Sequence, residues 1–148
     1  MGEPEPGSIR ETYHAALAHG LVDLPRETSR VGVVRRPTSW FHGEVDENVP
    51  ALAPPEALLE EFQNRREDFE MRGMCDEGAH NAAWEEVDFE SRYRTHLEGS
   101  EDARAALSEL ADRVASGESV ALVCFEGDSK RCHRHALEAV LESRLADR

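Results

Sequence analysis

Lysine is almost missing from this chain: Lys130 is the single one among 17 basic residues, the rest being arginine. Cysteine is scarce as well. Cys75, Cys124 and Cys132 are too few, and of the wrong parity, for a disulfide framework, which points to a reducing, cytoplasmic setting. The longest apolar run, Val120–Phe125, is far short of a membrane span. The stretch Met1–Gly7 is acidic and Pro/Gly-rich, without the apolar segment of a signal peptide. Neither a G-x-G-x-x-G loop nor a Walker pattern is present, so no glycine-rich phosphate cradle is expected.

Positive charge is in deficit overall, with 31 acidic residues giving a formal net charge of −14. That excess repels phosphate backbones and disfavours nucleic acid as a partner. Acid-rich, lysine-poor composition suits a halophilic protein, in which salt screens the self-repulsion. The 148 residues, 39% hydrophobic and 32% charged, fit one folded soluble domain.

Residues 1–7 read as a flexible tail and 8–148 as the domain. Ser8–Tyr13 is a weak edge-strand pattern interrupted by Glu11 and Thr12. Val31–Val34, β-branched and bounded by Pro37, predicts a buried strand. Four prolines and no periodicity make residues 37–55 a long loop, of a length that often carries function. A helix follows from Pro55, with Leu58, Leu59, Phe62 and Phe69 as its stripe to Gly73. Met74–Glu86 has no decisive pattern. Asp88 is the expected N-cap of a helix presenting Phe89, Tyr93 and Leu97, and Ser100 of another presenting Ala103, Leu107, Leu110 and Val114 before Gly117. Val120–Phe125 reads as a central strand, and Asp128 or Ser129 as the cap of a last helix to about Leu145. The alternation predicts an α/β fold: one compact domain with a small, largely parallel sheet flanked by helices.

Chemistry concentrates between Cys124 and His135. Cys124 and Glu126 lie two apart at a strand end and so share a face. In parallel α/β sheets that end is where ligands bind. On the next helix, Cys132 shares a face with Ala136 and Val140, and His133 with Leu137 and Leu141, so both lean toward the core and back toward Cys124. The helix opens with Lys130, Arg131, His133, Arg134 and His135, with no acid between Asp128 and Glu138. Helix starts prefer acids, so this reversal suggests a bound anion. Arg35 and Arg36, after the first clear strand, offer a second arm, since arginine forks grip phosphate or carboxylate. Plain structural readings stand beside these. Glu138 is spaced to pair with Arg134 or His135, Cys124 suits an inert core, and Glu126 suits a turn or a pair with Arg35. Residue by residue the structural reading is sufficient; taken together the set points to a site.

Cys124-x-Glu126, five residues, then Cys132-His133-Arg134 resembles the C-terminal motif of the domain-of-unknown-function 488 family. Val33-Val34-Arg35-Arg36-Pro37 is similar to that family's other landmark, although Val33 and Val34 stand where an Asp usually precedes the arginine. Tyr93 and the helix from Ala103 match its aromatic-bearing segment and penultimate helix. The resemblance spans roughly residues 31–142 and is greatest to short, haloarchaeal-type members. It implies a compact α/β fold and a site using Cys124, Glu126, Cys132, His133 and Arg134; the family has no established activity, so it implies no reaction.

Three functions remain open. In the first, Arg35, Arg36, Arg134 and helix N–H groups bind a small anion, a nucleotide or phosphorylated metabolite. Cys124 or Cys132 is then the nucleophile, favoured as thiolate by the helix end and nearby cations, and Glu126 or His133 moves protons. In the second, the same pocket serves a non-enzymatic ligand- or partner-binding module. In the third, the motif only locks strand to helix. No cofactor is implied. Zinc is disfavoured because no C-x-x-C knuckle exists and cations crowd the thiols. The loop set His42, Glu44 and Asp46 reads more simply as solvated loop than as ligands, and the pair Cys75 and His80, whose neighbours give no context, reads as loop.

Overall fold

The computed structural model describes residues 5–125 and 130–147. Glu126 and the capping positions Asp128 and Ser129 therefore lie outside the described residues. Four strands form one sheet in the order β1-β4-β2-β3: β1 Ile9–Tyr13, β2 Ser29–Gly32, β3 Glu47–Asn48 and β4 Val120–Cys124. All three pairings are parallel. The fold is thus the expected α/β type with a parallel sheet, and β1 is an edge strand.

Strand β4 is central because every one of its residues is apolar and buried, a pattern suited to a strand covered on both faces. Val120 and Leu122 join the main core, whereas Val123 and Cys124 join a smaller cluster with Val34, Phe41 and Cys132. At Gly32 of β2 a Cβ would overlap the Phe41 ring, so the missing side chain is what lets that aromatic close over the strand.

Two expectations need correction. Residues 37–55 are not an unstructured loop: they hold α2 (Ser39–Glu44), β3 and a 3₁₀ turn, Pro50–Leu52. Thr38 starts α2, its hydroxyl accepting the Phe41 N–H at 3.2 Å, a cap that needs no long periodic pattern. The last helix starts later than expected, as α7 (His133–Ala146) with Cys132 at the N-cap position. The short helix α1 (His14–Ala18) follows β1 directly.

Four helices separate β3 from β4: α3 (Glu56–Met71), α4 (Asp76–Glu86), α5 (Phe89–Gly99) and α6 (Glu101–Ala115). The indecisive Met74–Glu86 stretch is α4, whose N-cap Cys75 accepts the Gly78 N–H through sulfur at 3.3 Å. Asp88 precedes α5 as expected, but in the left-handed region at φ 55° and without a side-chain cap bond. Ser100 caps α6 through the Ala103 N–H as expected, and Gly117 ends it at φ +110°. Upstream, Gly7 donates its N–H to Val114 O at 2.8 Å.

Candidate functional site

The carboxyl ends of β2 and β4 and the start of α7 meet the layer formed by α3, α4 and α5. Between them lies a cleft of about 210 Å³. Cys124, Cys132 and His133 line it beside an aromatic wall of Phe62, Trp84 and Phe89. Trp84 stacks on Phe89 with ring centroids 3.9 Å apart. Arg35, Arg36, Arg66 and Arg131 also line the cleft, and no described lining residue is an acid. In a chain of charge −14 four arginines gather at one cleft, although Arg36, Arg66 and Arg131 each also have a carboxylate partner, Glu56, Glu70 and Glu85.

The backbone positions these groups through side chains far away in sequence. Asn48 clamps Val34, two residues beyond β2, by both its backbone groups: its Nδ2 donates to Val34 O at 3.0 Å, and its Oδ1 accepts the Val34 N–H at 3.1 Å. Arg35 follows directly, its guanidinium donating to the carbonyls of Pro54 and Ala53. No ion pair joins it to a described carboxylate. Arg36 pairs with Glu56 at the exposed mouth. On the far wall α4 fixes residue 131: the Arg131 N–H donates to Asn81 at 2.9 Å, and its carbonyl accepts the His80 Nε2–H at 2.8 Å.

His133 is buried, and its Nε2 lies against the Val33 carbonyl. A carbonyl only accepts, so Nε2 carries the proton and the neutral ring turns its Nδ1 lone pair outward. Cys132 Sγ lies 3.6 Å from that Nδ1. Burial is the main cause holding the imidazole pKa down to about 4, with Arg134 and His135 adding to it against the Val33 hydrogen bond. The ring is therefore a neutral acceptor for the Cys132 S–H at ordinary pH. Tyr93 packs edge-on to it at 5.3 Å and donates its own hydroxyl to Leu52 O at 2.5 Å.

The sulfurs of Cys124 and Cys132 are in contact, while the Cα atoms stand 7.6 Å apart. The structure thus pairs the two cysteines sulfur to sulfur, and reduction of the pair leaves two thiols face to face at the cleft. Arg134 Nη1 donates to Cys124 Sγ at 2.7 Å, and its Nε pairs with Glu11 of β1. The guanidinium sits 5.5 Å over the Tyr13 ring and is fully buried.

The expected set is thus partly assembled. Cys124, Cys132, His133, Arg35 and Arg36 share the cleft, whereas Arg134 lies behind Cys124 with Glu11 and does not line it. The basic run also has acids from distant elements. Lys130 meets Asp76 at 2.5 Å, Arg131 meets Glu85 at 3.1 Å, and His135 meets Glu11 at 3.0 Å. Those partners alone explain much of the charge reversal at the start of α7.

Sequence reasoning did not select Glu11, Asn48, Asn81 or Arg66, and the loop reading of Cys75 and His80 is corrected: His80 is buried within α4 and lines the cleft. Glu11 left a trace, as the charged residue that spoiled a strand pattern. Elsewhere the acids of the loop set have other duties: Asp46 accepts the Arg30 N–H at 2.7 Å, and Glu44 lies 3.8 Å from the Arg30 guanidinium. Among the described residues, no group of three or more His, Cys, Asp or Glu side chains is placed to hold a metal ion. No described helix is long and apolar enough to cross a membrane.

The fold is a compact α/β domain with a parallel sheet, whose carboxyl edge carries the Cys124–Cys132 pair, a buried histidine and an arginine-lined cleft. The chain matches the family model DUF488-N3a, described as the active DUF488-N3 subclade, over residues 19–145, and it belongs to the DUF488 family. Comparison with curated proteins and with solved structures finds no match.

Proposed function

We propose that the cleft binds a small anionic ligand, a nucleotide or phosphorylated metabolite, and that Cys132 is the thiol that reacts with it. The observation that carries this reading is the cleft lining itself: four arginines, no described acid, and both thiols at one end. Arg35 supplies charge that no described carboxylate neutralises, and Arg36, Arg66 and Arg131 surround the same space. Cys132 stands at the N-cap position of a 14-residue helix, where the unpaired N–H groups of the first turn favour negative charge on sulfur or ligand. His133 orients the thiol by accepting its proton in a hydrogen bond. Arg134, expected to hold the ligand, is assigned to Cys124 instead. Glu126, two residues after Cys124 in sequence, keeps its proposed role in proton transfer.

The ion pairs of residues 130–135 with Asp76, Glu85 and Glu11 favour a second reading, a non-enzymatic binding module in which the motif serves structure. Alkylation with iodoacetamide, mapped peptide by peptide, separates the two. Cys75 is exposed whereas Cys132 is only 5% exposed, so accessibility alone favours Cys75. The enzyme reading expects Cys132 to react first, with inorganic phosphate or a nucleoside monophosphate protecting it and Arg35→Met abolishing the protection. Labelling confined to Cys75, unaffected by phosphate, would refute it.

A further inference from the structure

Two thiols at one cleft, each with a different polar partner, suggest a division of labour. Cys132 faces the neutral Nδ1 of His133 at 3.6 Å and lies at the start of α7. Cys124 lies deeper, at the end of the central strand, with the buried Arg134 guanidinium 2.7 Å from its sulfur. A guanidinium donor favours sulfur in its anionic state, both as an attacking thiolate and as a leaving group. A neutral histidine acceptor orients the S–H of the thiol that attacks. The two sulfurs touch, and the segment joining them is short, with a sequence separation of 8.

We propose that Cys132 and Cys124 form a redox couple, in which a hydroperoxide entering the cleft oxidises Cys132 and Cys124 resolves the product into a disulfide. In the first step Cys132 gives up its proton to solvent and the sulfur attacks the terminal peroxide oxygen. The O–O bond breaks, leaving a sulfenic acid on Cys132 and an alkoxide that takes a proton from solvent. In the second step the Cys124 thiolate attacks the Cys132 sulfur and the S–O bond breaks. Hydroxide departs and is protonated by solvent. Two thiols and one hydroperoxide thereby yield one disulfide, one alcohol and one water. A small dithiol restores the pair by attacking Cys132 sulfur, with Cys124 leaving as the thiolate held by Arg134. The inference rests on the proposed reactivity of Cys132 but adds an electron-transfer role for the pair.

The test uses the full chain carrying Cys75→Ser, with hydrogen peroxide as the probe and intact mass plus non-reducing peptide mapping as readouts. The expected product is lighter by two hydrogens, links the Cys124 and Cys132 peptides, and reverts with dithiothreitol while the protein stays folded. Adding Cys124→Ala should leave a sulfenic acid on Cys132 that a 1,3-dione reagent traps, at least tenfold more than in the parent. Adding Arg134→Met should slow formation of the bridge. Equal trapping with and without Cys124, and no bridge, would overturn the couple while leaving preferential alkylation of Cys132 intact. A bridge reducible only on unfolding would make the pair a structural crosslink and also overturn it. Inertness of Cys132 to both iodoacetamide and peroxide would overturn this proposal together with the reading beneath it.

Discussion

Protonating His133 should unlatch the site and weaken the fold at the same time. Its pKa in the native protein, about 4 against a usual 6.5, is depressed mainly by burial, with the nearby Arg134 and His135 adding to it. Between those values the unfolded chain binds a proton at this position and the native chain does not. The contribution is therefore complete above about pH 6.5 and is lost as the pH falls toward 4, an effect of about 3 kcal/mol at roughly 1.4 kcal/mol per unit. Two other groups are shifted as well. His96 is also depressed, chiefly by burial, and Glu138 is raised for the same reason. His133→Gln isolates the term, because the Gln amide can still donate toward the Val33 carbonyl but does not titrate. Urea unfolding followed by circular dichroism, repeated from pH 7 to pH 4 on both proteins, gives two stability curves. Their difference should change by about 3 kcal/mol across the window, and the His133 ring should keep its neutral-state NMR shifts down to about pH 5. Parallel curves, or a ring titrating at its ordinary value, would refute the argument.

Three further perturbations follow from the geometry. Arg134→Met keeps the aliphatic volume but strips Glu11 and Cys124 of a buried cation. Glu11 is 22% exposed at its side chain, so the loss, read from the urea midpoint, should be about 2–3 kcal/mol rather than the full 3–5 of a wholly buried pair. Tyr93→Phe leaves the buried Leu52 carbonyl without its donor and should cost about 1–3 kcal/mol in the same assay. Asn48→Ala removes both bonds to the Val34 backbone. It should cost about 1–3 kcal/mol and also weaken phosphate protection of Cys132, because Arg35 is the next residue along.

Elements whose signal is local were readable without a structure. The stripe and Ser100 cap of α6, the apolar run of β4 and its central position all follow from neighbouring residues, and the structure reproduces them. So does the convergence of Cys124 with Cys132, since a short connection after a parallel strand leaves few alternatives. The partners of these residues were not readable. Glu11 reaches Arg134 across 123 positions, and His80 reaches Arg131 across 51. Nothing at either end advertises the other. The missed α2 has the same physical origin: six residues with one buried aromatic are too short for periodicity to rise above a proline-rich background. The basic run shows the same limit from the other side: its local oddity suggests an outside anion, while its acid partners Asp76, Glu85 and Glu11 lie far away in sequence.

The order β1-β4-β2-β3 also governs how the chain is made. The central strand is the last of the four to leave the ribosome, and β1 has no other strand to pair with until it arrives. Ser8 meets Ser119 across 111 residues, so the sheet closes through contacts of very high sequence separation, which form slowly. A nascent chain that has reached α6 exposes β1 and β2 as unpaired edges, the state most open to misassociation. Mutual repulsion between acidic chains opposes that association, giving the surplus of negative charge a task during synthesis as well as after it.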